Sequence, residues 1–255
     1  MKQDWNPDSY GRFADVRLQP ALDLLAAVAG LPEGDIIDLG CGAGVVGPAL
    51  RQRFPERRLV GLDSSPAMLG KAEGTGCYDL LVEADAAMWA PERPPALIFS
   101  NAVLQWLPDH PALVSRLAGY LVPGGILAVQ VPHQQAAPSA RAWGESFAAL
   151  EGGTPTAKTS EVLEPEAYFD VLSPLGRVRV WETEYLQHLP PSENGHPVRL
   201  YTESTFARPY LEQLDDAGQA ELIAAYEARI AANYPIRPDG SVLFPFRRLF
   251  FVLVT

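Results

Sequence analysis

Cysteine is scarce in this sequence, since its 255 residues include only Cys41 and Cys77. Secreted domains that depend on disulfides carry more cysteines, so we expect both thiols to be free. The first residues are polar and lack the apolar core of a secretory signal peptide. Together these features predict a cytoplasmic protein.

Basic residues and long apolar runs are also few. Lysine and arginine number 20 against 31 aspartates and glutamates, which gives a formal net charge of −11. No segment is rich in basic residues, so binding to nucleic acid or to an anionic membrane surface is disfavoured. Charges at Asp23 and at Arg247–Arg248 interrupt the best candidates for a transmembrane helix. The remaining composition is ordinary for a globular protein, and the length fits one large α/β domain.

The most informative stretch runs from Ile36 to Gly44. An apolar run ends in the carboxylate of Asp38, glycines follow at positions 40, 42, 44 and 47, and the next residues favour a helix. This pattern predicts a strand, a tight turn and a helix. Glycine is needed where the backbone turns sharply and where a ligand lies against the main chain. The N–H groups that begin a helix face such a ligand.

Two classes of ligand use such a turn. Gly42-x-Gly44-x-x-Gly47 matches the fingerprint of dinucleotide-binding proteins, and Asp63 lies at the expected distance downstream. Asp38, however, would repel a pyrophosphate and attract a ligand that carries an ammonium and a sulfonium. The acid and the glycines resemble motif I of the class I S-adenosylmethionine-dependent methyltransferases. We therefore favour S-adenosylmethionine over a nicotinamide or flavin dinucleotide, with a turn that binds nothing as the third alternative.

Strands alternate with helices along the first half of the chain, which predicts a doubly wound, Rossmann-like α/β sheet. Four polar residues come at the ends of predicted strands, where such sheets bind ligands: Asp38, Asp63, Asp85 and Asn101. We expect Asp63 to accept both hydroxyls of a ribose, with helix capping as the alternative. Asp85 would reach the amine of an adenine, with a solvated loop position as the alternative.

Segments along nearly the whole chain resemble the trans-aconitate 2-methyltransferase family: Asp4–Pro7, Asp38–Gly42, Gly61–Met68, Asn101–His110, Gln187–Pro190, Arg208–Leu211 and Phe244–Phe250. That family transfers a methyl group from S-adenosylmethionine to a carboxylate of a small tricarboxylic acid. The resemblance implies a seven-stranded sheet, mostly parallel with the last strand antiparallel, and helical cap insertions. It also implies a cofactor site formed by Asp38, Gly40, Cys41, Gly42, Gly44, Asp63, Ser64, Met68, Asp85, Ala86, Asn101 and Trp106.

The expected acceptor determines the remaining predictions. A carboxylic acid is already ionised at pH 7, so we nominate no catalytic base and no metal. We expect the transfer to depend on alignment and on exclusion of water. A polyanionic substrate needs local cations in an acidic protein, and arginine is the best carboxylate clamp. The predicted substrate-binding residues are Tyr10, Arg17, Gln105, His133, Arg199, Tyr201 and Arg208.

The sequence departs from the family at two places that could face the substrate. Gln19 replaces an arginine before Pro20, and His133–Gln134 replaces an Asp-Asn pair. These changes leave open another methyl acceptor, such as an acyl-carrier-bound acid or a hydroxyl or carbon of a natural product. A non-catalytic cofactor-binding protein is the remaining alternative.

We expect one methyltransferase domain over residues 1–255. Residues 1–19 would form a lid arm, or else a loosely packed arm, and helical segments 133–172 and 190–238 would cover the active site. The pattern also predicts a half-exposed edge strand or antiparallel strand at Arg177–Tyr185 and a last strand at Arg247–Val254.

Overall fold

The computed structural model describes residues 14–151, 162–203 and 205–255 of the chain. Within them, one sheet contains the strands β1 (Ile36–Leu39), β2 (Leu59–Asp63), β3 (Leu80–Glu83), β4 (Leu97–Asn101), β5 (Ile126–Pro132), β6 (Arg177–Leu189) and β7 (Val242–Val254). The helices are α1 (Ala14–Ala26), α2 (Gly47–Arg53), α3 (Pro66–Glu73), α4 (His110–Gly119), α5 (Pro138–Glu151), α6 (Pro165–Leu172), α7 (Pro197–Glu203), α8 (Arg208–Leu211) and α9 (Asp216–Ile230).

The sheet has seven strands in the order β3-β2-β1-β4-β5-β7-β6. Strands β3, β2, β1, β4 and β5 are parallel to their neighbours in that series, whereas β7 is antiparallel to β5. This confirms the predicted Rossmann-like sheet, mostly parallel with an antiparallel last strand. The chain runs outward from β1 to β3 and returns to β4 on the other side of β1. Ligands of such sheets bind at the carboxyl ends of the strands where the order reverses.

The last two strands are longer than predicted. β6 continues to Leu189 and β7 begins at Val242, before Pro245. Proline interrupts a strand where its nitrogen would have to donate a hydrogen bond, but the pairing of β7 with β5 begins only at Arg248. β6 lies at the edge of the sheet, as predicted.

The main hydrophobic cluster joins the sheet to α4 and α6. Ile37, Leu127 and Phe251 contribute from the strands, Leu113 from α4 and Tyr168 from α6. These side chains are all nearly inaccessible to solvent, as expected for strands of a parallel sheet that helices cover.

His110, the first residue of α4, has both ring nitrogens engaged inside this cluster. One nitrogen bonds to the hydroxyl of Tyr168, and the other lies 2.7 Å from the carbonyl oxygen of Leu104. His110 therefore ties the turn after β4 to α6. Both contacts hold the packing of this part of the sheet unit together.

The described residues fall into two compact units. The sheet unit takes in residues 14–132, 162–183 and 248–255, and the helical unit takes in residues 133–151, 184–203 and 205–247. The predicted cap segment 133–172 is thus divided, because α5 belongs to the helical unit and α6 to the sheet unit. That these helices cover the active site stays a prediction.

A hydrogen-bonded aromatic stack forms the centre of the helical unit. The rings of Trp143 and Tyr226 stack with centroids 3.7 Å apart, and both side chains are fully buried. The hydroxyl of Thr202 accepts a hydrogen bond from Trp143 Nε1 at 3.1 Å and lies 3.1 Å from the hydroxyl of Tyr226. The Thr202 hydroxyl therefore satisfies the indole N–H of Trp143, whereas the hydroxyl of Tyr226 also donates to the carbonyl of Ser139 at 3.1 Å.

We expect Thr202→Val to reduce the free energy of unfolding by about 1–3 kcal/mol, because the indole N–H of Trp143 would be left buried without an acceptor. Thr202→Ser keeps the hydroxyl and serves as the control. Urea denaturation measures both variants. A Thr202→Val protein as stable as the parent would contradict this account of the helical unit.

Candidate active site at the carboxyl edge of the sheet

The turn after β1 is built on glycines with left-handed backbone angles. Gly40 has φ 75° and Gly42 has φ 55°. A Cβ on Gly40 would lie 2.2 Å from a methyl group of Val103, so this glycine is required by packing. A Cβ on Gly42 would meet no described atom within 4 Å. Gly42 therefore exposes its main chain to open space, where a ligand can approach closely.

The N–H groups of the three glycines that match the dinucleotide fingerprint are already used within the protein. Gly42 donates to Oδ2 of Asp63 at 2.9 Å, Gly44 donates to the carbonyl of Cys41 at 2.9 Å, and Gly47 donates to the carbonyl of Gly44 at 3.0 Å. A pyrophosphate site needs these donors for the phosphate oxygens. The geometry therefore argues against the dinucleotide alternative, although the glycine spacing matches its fingerprint.

Asp38 places a buried carboxylate beside this turn. Its side chain is 2% exposed and accepts a hydrogen bond from the hydroxyl of Tyr78 at 2.7 Å. The pKa of Asp38 is raised to about 7. Burial is the main cause of this rise, the hydrogen bond from Tyr78 opposes it in part, and the charge of Asp63 adds to it. A cation bound at this position would favour the ionised carboxylate. The site thus suits a positively charged ligand.

Asp63 ends β2 and faces the glycine turn. Its Oδ2 accepts from Gly42, and its Oδ1 accepts from the backbone N–H of Ser65 at 2.9 Å. Each carboxylate oxygen has capacity for a second hydrogen bond, so Asp63 can still accept two hydroxyls. Ser65 is the N-cap residue just before α3, and its hydroxyl accepts a hydrogen bond from the N–H of Met68 at 3.3 Å. Ser65 rather than Asp63 therefore caps the helix.

The other predicted cofactor residues lie along the same edge or in the turns that follow it. Asp85, two residues after β3, is exposed and accepts a hydrogen bond from the N–H of Ala87 at 2.8 Å. Trp106 is 45% exposed, in a short helical turn after β4. The pKa of the Cys41 thiol is raised, mainly by burial and also by the charges of Asp38 and Asp63, so Cys41 stays a neutral thiol. Of the rest, Ala86 and Met68 are buried and Ser64 is exposed.

Both cysteines are free thiols, as predicted. Across the described ranges, no group of three or more histidine, cysteine, aspartate or glutamate side chains is arranged to hold a metal ion. None of the helices in the described part of the chain has the length and apolar character that a bilayer crossing requires.

Buried amide atoms lie near the carboxyl ends of β4 and β5. Asn101, the last residue of β4, is the register partner of Gln130 in β5. The atoms Oδ1 of Asn101, Oε1 of Gln105 and Nε2 of Gln130 are buried, and none has a hydrogen-bond partner among the residues that the structure describes. Unsatisfied buried polar atoms are rare in folded proteins and call for a partner such as a ligand or water. This part of the edge is therefore suited to a polar ligand.

The predicted arginine clamps are engaged in ion pairs. Arg199 is 8% exposed and contacts Glu203 at 2.5 Å and Glu227 at 3.0 Å, which neutralises its charge within the helical unit. Arg208 contacts Glu212 at 2.6 Å. Such contacts leave both arginines less available to a substrate carboxylate.

The remaining predicted substrate residues are spread over the chain. Tyr201 is buried in the helical unit with its ring edge against Phe244 and Phe246. His133 directly follows β5 and donates its backbone N–H to the carbonyl of Arg247 at 3.0 Å. Tyr10 and the side chain of Arg17 lie outside the described part of the chain.

Three residues of the edge escaped the sequence analysis. Tyr78 binds Asp38, and Arg248 in β7 donates a hydrogen bond from Nη1 to Oε1 of Gln130 at 3.3 Å. No spacing rule marks Tyr78 or Gln130. Arg248 carried a signal, because it opens an apolar run that is buried as far as Leu253, and a charge in such a run often has a specific partner.

Three comparisons relate the chain to known proteins. A family model described as a methyltransferase domain matches residues 10–208. The trans-aconitate 2-methyltransferase of Methylobacterium radiotolerans is 42% identical, over 98% of this chain and 97% of the relative. That of Yersinia pestis is 40% identical, over 98% of each chain.

Solved structures share the fold at low sequence identity. The YcgJ protein of Bacillus subtilis superposes with a TM-score of 0.60 and 11% identity, over 93% of this chain and 98% of its own. A Haemonchus contortus phosphoethanolamine N-methyltransferase 2, in complex with S-adenosyl-L-methionine, superposes with a TM-score of 0.53 and 14% identity, over 96% and 56% of the two chains.

We expect Gly42→Ala to weaken S-adenosylmethionine binding about tenfold or more, because its Cβ would enter the space that a ligand needs. Gly76→Ala is the matched control, since Gly76 also has a left-handed φ, 63°, and a Cβ added there would likewise meet open space. Both variants should lose about 1–2 kcal/mol of stability from backbone strain, but Gly76→Ala should bind normally. Calorimetric titration that finds equal affinity in the two variants would contradict the placement of the ligand.

Proposed function

This chain belongs to the trans-aconitate 2-methyltransferase family, and from that membership we propose that it methylates a carboxylate of trans-aconitate or of a closely related small polycarboxylic acid. The observation that carries the proposal is 42% identity over 98% of the chain. Identity over the full length does not favour the alternative acceptors or a non-catalytic protein. A cytoplasmic location stays a prediction.

The cofactor is S-adenosylmethionine, which supplies the methyl group on a positively charged sulfur when it is bound. The residues of the edge fit this ligand. Asp38 would accept its cationic part, Gly42 would lie against it, and Asp63 would accept the two hydroxyls of its ribose. Asp85 would accept from the adenine amine. These roles are supported by the buried carboxyl group of Asp38 and by the free hydrogen-bonding capacity of Asp63.

The residues of the chain would act by binding and orientation. The acceptor carboxylate is ionised at neutral pH and is itself the nucleophile, so no side chain needs to remove a proton. Holding the acceptor in line with the methyl group supplies much of the rate enhancement that intramolecular reactions show. Burial of the amide atoms at Asn101, Gln105 and Gln130 supports a site from which water is excluded.

The proposed function is tested by turnover with a panel of acids. We expect release of S-adenosylhomocysteine with trans-aconitate and a monomethyl ester as the second product, identified by mass spectrometry. Monocarboxylic acids serve as controls and should react much more slowly. A protein that binds the cofactor but methylates no di- or tricarboxylic acid would overturn the proposal.

We expect the affinity for S-adenosylmethionine to rise roughly tenfold between pH 6 and pH 7.5, because a cationic ligand needs Asp38 ionised and its pKa is about 7 without ligand. The stability of the free protein changes with pH in the opposite direction to the affinity. A carboxyl whose folded pKa is raised stabilises the free protein fully below about pH 4, and that contribution is lost as the pH rises through 7.

Asp38→Asn should bind weakly at every pH and lose this dependence. Tyr78→Phe removes the bond that lowers the pKa of Asp38, so it should move the transition to higher pH. Calorimetry at several pH values measures all three proteins. A parent protein whose affinity is constant over this range would show that Asp38 does not face the cation.

A further inference from the structure

The turn after β4 contains a strained residue. Two non-glycine residues in the described part of the chain have left-handed backbone angles, Ala102 with φ 57° and Asp109 with φ 52°. Aspartate tolerates this conformation because its short polar side chain can bond locally, and Asp109 accepts from the N–H of Ala112 at 3.2 Å. Alanine has no such compensation. Strained residues persist only where their surroundings hold them, and they cluster at functional sites. The conformation of Ala102 therefore calls for a support and a use.

Two hydrogen bonds support Ala102 in this conformation. Its N–H donates to the carbonyl of Gln130 at 2.9 Å, which continues the pairing of β4 with β5. Its carbonyl accepts from Nε2 of Gln105 at 2.8 Å. Because a backbone carbonyl only accepts, the nitrogen of the Gln105 amide must be the atom that faces it. Gln105 is therefore a side chain that fixes the strained peptide.

The residue after Ala102 connects the strained turn to the glycine turn after β1. The methyl groups of Val103 lie 2.2 and 2.6 Å from the place that a Cβ on Gly40 would take, so the two residues are in close contact. Gly40, Gly42 and Gly44 all have left-handed angles, and glycine loses more conformational freedom on ordering than any other residue. A contact from outside the turn restricts that freedom. The course of the chain into Val103 depends on the backbone angles of Ala102.

We propose that Gln105 is a positioning residue for the methyl donor, which acts through Ala102 and Val103 rather than by contact with a ligand. Its hydrogen bond holds the left-handed conformation of Ala102. That conformation keeps Val103 against Gly40, and the glycine turn thereby keeps the shape that receives the donor. The sequence alone predicts a different role for Gln105, as a residue that binds the acceptor. The proposal rests on the proposed function only in placing the methyl donor at this turn, and it does not depend on which acid is methylated.

The substitution Gln105→Leu removes the donor of this bond with little change in size. We expect the Kd for S-adenosylmethionine to rise about tenfold, because a turn that is correctly formed only about a tenth of the time lowers the apparent affinity by that fraction. The KM for the acceptor, measured with saturating S-adenosylmethionine, should stay that of the parent. A residue that binds the acceptor would give the reverse result, a raised KM and an unchanged Kd.

The helical unit offers a matched control. Gln219 in α9 also donates its side-chain amide to backbone carbonyls, those of Leu211 and Leu214, each at 3.1 Å. Gln219→Leu therefore removes the same kind of contact at a place outside the sheet unit. It should keep the parent's Kd for S-adenosylmethionine.

The substitution Ala102→Gly separates positioning from direct contact. It removes the steric cost of the left-handed angle, so by itself it should leave the Kd for S-adenosylmethionine unchanged. Combined with Gln105→Leu, it should restore most of the lost affinity, because the turn then forms without help from the side chain. If Gln105 instead touched a ligand, relief of strain at Ala102 would not replace the missing contact.

Calorimetric titration with S-adenosylmethionine measures each Kd without turnover, and thermal unfolding shows that each variant is folded. Gln105→Met, which also lacks the donor and has an unbranched side chain of similar length, keeps the test decisive if Gln105→Leu does not fold. A tenfold rise in Kd that Ala102→Gly reverses, with Gln219→Leu unaffected, supports the positioning role.

The positioning role and the site on which it rests fail in different ways. If Gly42→Ala weakens binding but folded Gln105→Leu and Gln105→Met proteins keep the parent's Kd, the donor site stands and the positioning role is wrong. A raised Kd that Ala102→Gly does not reverse overturns that role as well. If Gly42→Ala binds as Gly76→Ala does, the proposed donor site is wrong and the positioning role falls with it.

Discussion

The buried carboxylate of Asp38 is the constraint on which the site depends. Its position within β1 removes it from water, and a single hydroxyl, that of Tyr78, offsets part of the unfavourable burial. Room for Tyr78 comes from two glycines. A Cβ on Gly47 or on Gly61 would lie within 2.9 Å of its ring. Gly47 therefore serves the packing of Tyr78, and this explains why the glycine spacing matches a dinucleotide fingerprint without a dinucleotide being bound.

The distribution of charge along the sheet edge connects this constraint to the reaction. Asp38 lies one residue before the end of β1, Asp63 ends β2, and Asn101 ends β4. Gln130 in β5 accepts a hydrogen bond from Arg248 in β7. A protein with a net charge of −11 would repel a polyanion over most of its surface.

Much of the fold could be predicted from the sequence, because each element carried a local signal. Apolar strands that end in Asp38, Asp63 and Asn101 placed these residues at one edge, and the structure confirms their positions. The ends of β6 and β7 were harder to predict, since Pro245 imitates a strand break.

The side-chain partners within the site were less predictable. The bond from Tyr78 to Asp38 joins residues 40 positions apart, and the pair of Gln130 with Arg248 depends on an antiparallel register that no local pattern encodes. The partners of the arginines proposed as clamps, in contrast, could be predicted from the sequence. Arg199 and Arg208 each have a glutamate four residues later, the spacing of an ion pair on a helix, and this signal already indicated that their charges were engaged.

The central claim is that the sheet edge holds the cationic methyl donor between the carboxylates of Asp38 and Asp63. The most direct measurement is a crystal structure of the protein with S-adenosylmethionine bound. The account predicts the ribose hydroxyls on Asp63 and the cationic part of the cofactor near Asp38. A complex in which the ribose does not contact Asp63, or in which the cationic part lies away from Asp38, would contradict it.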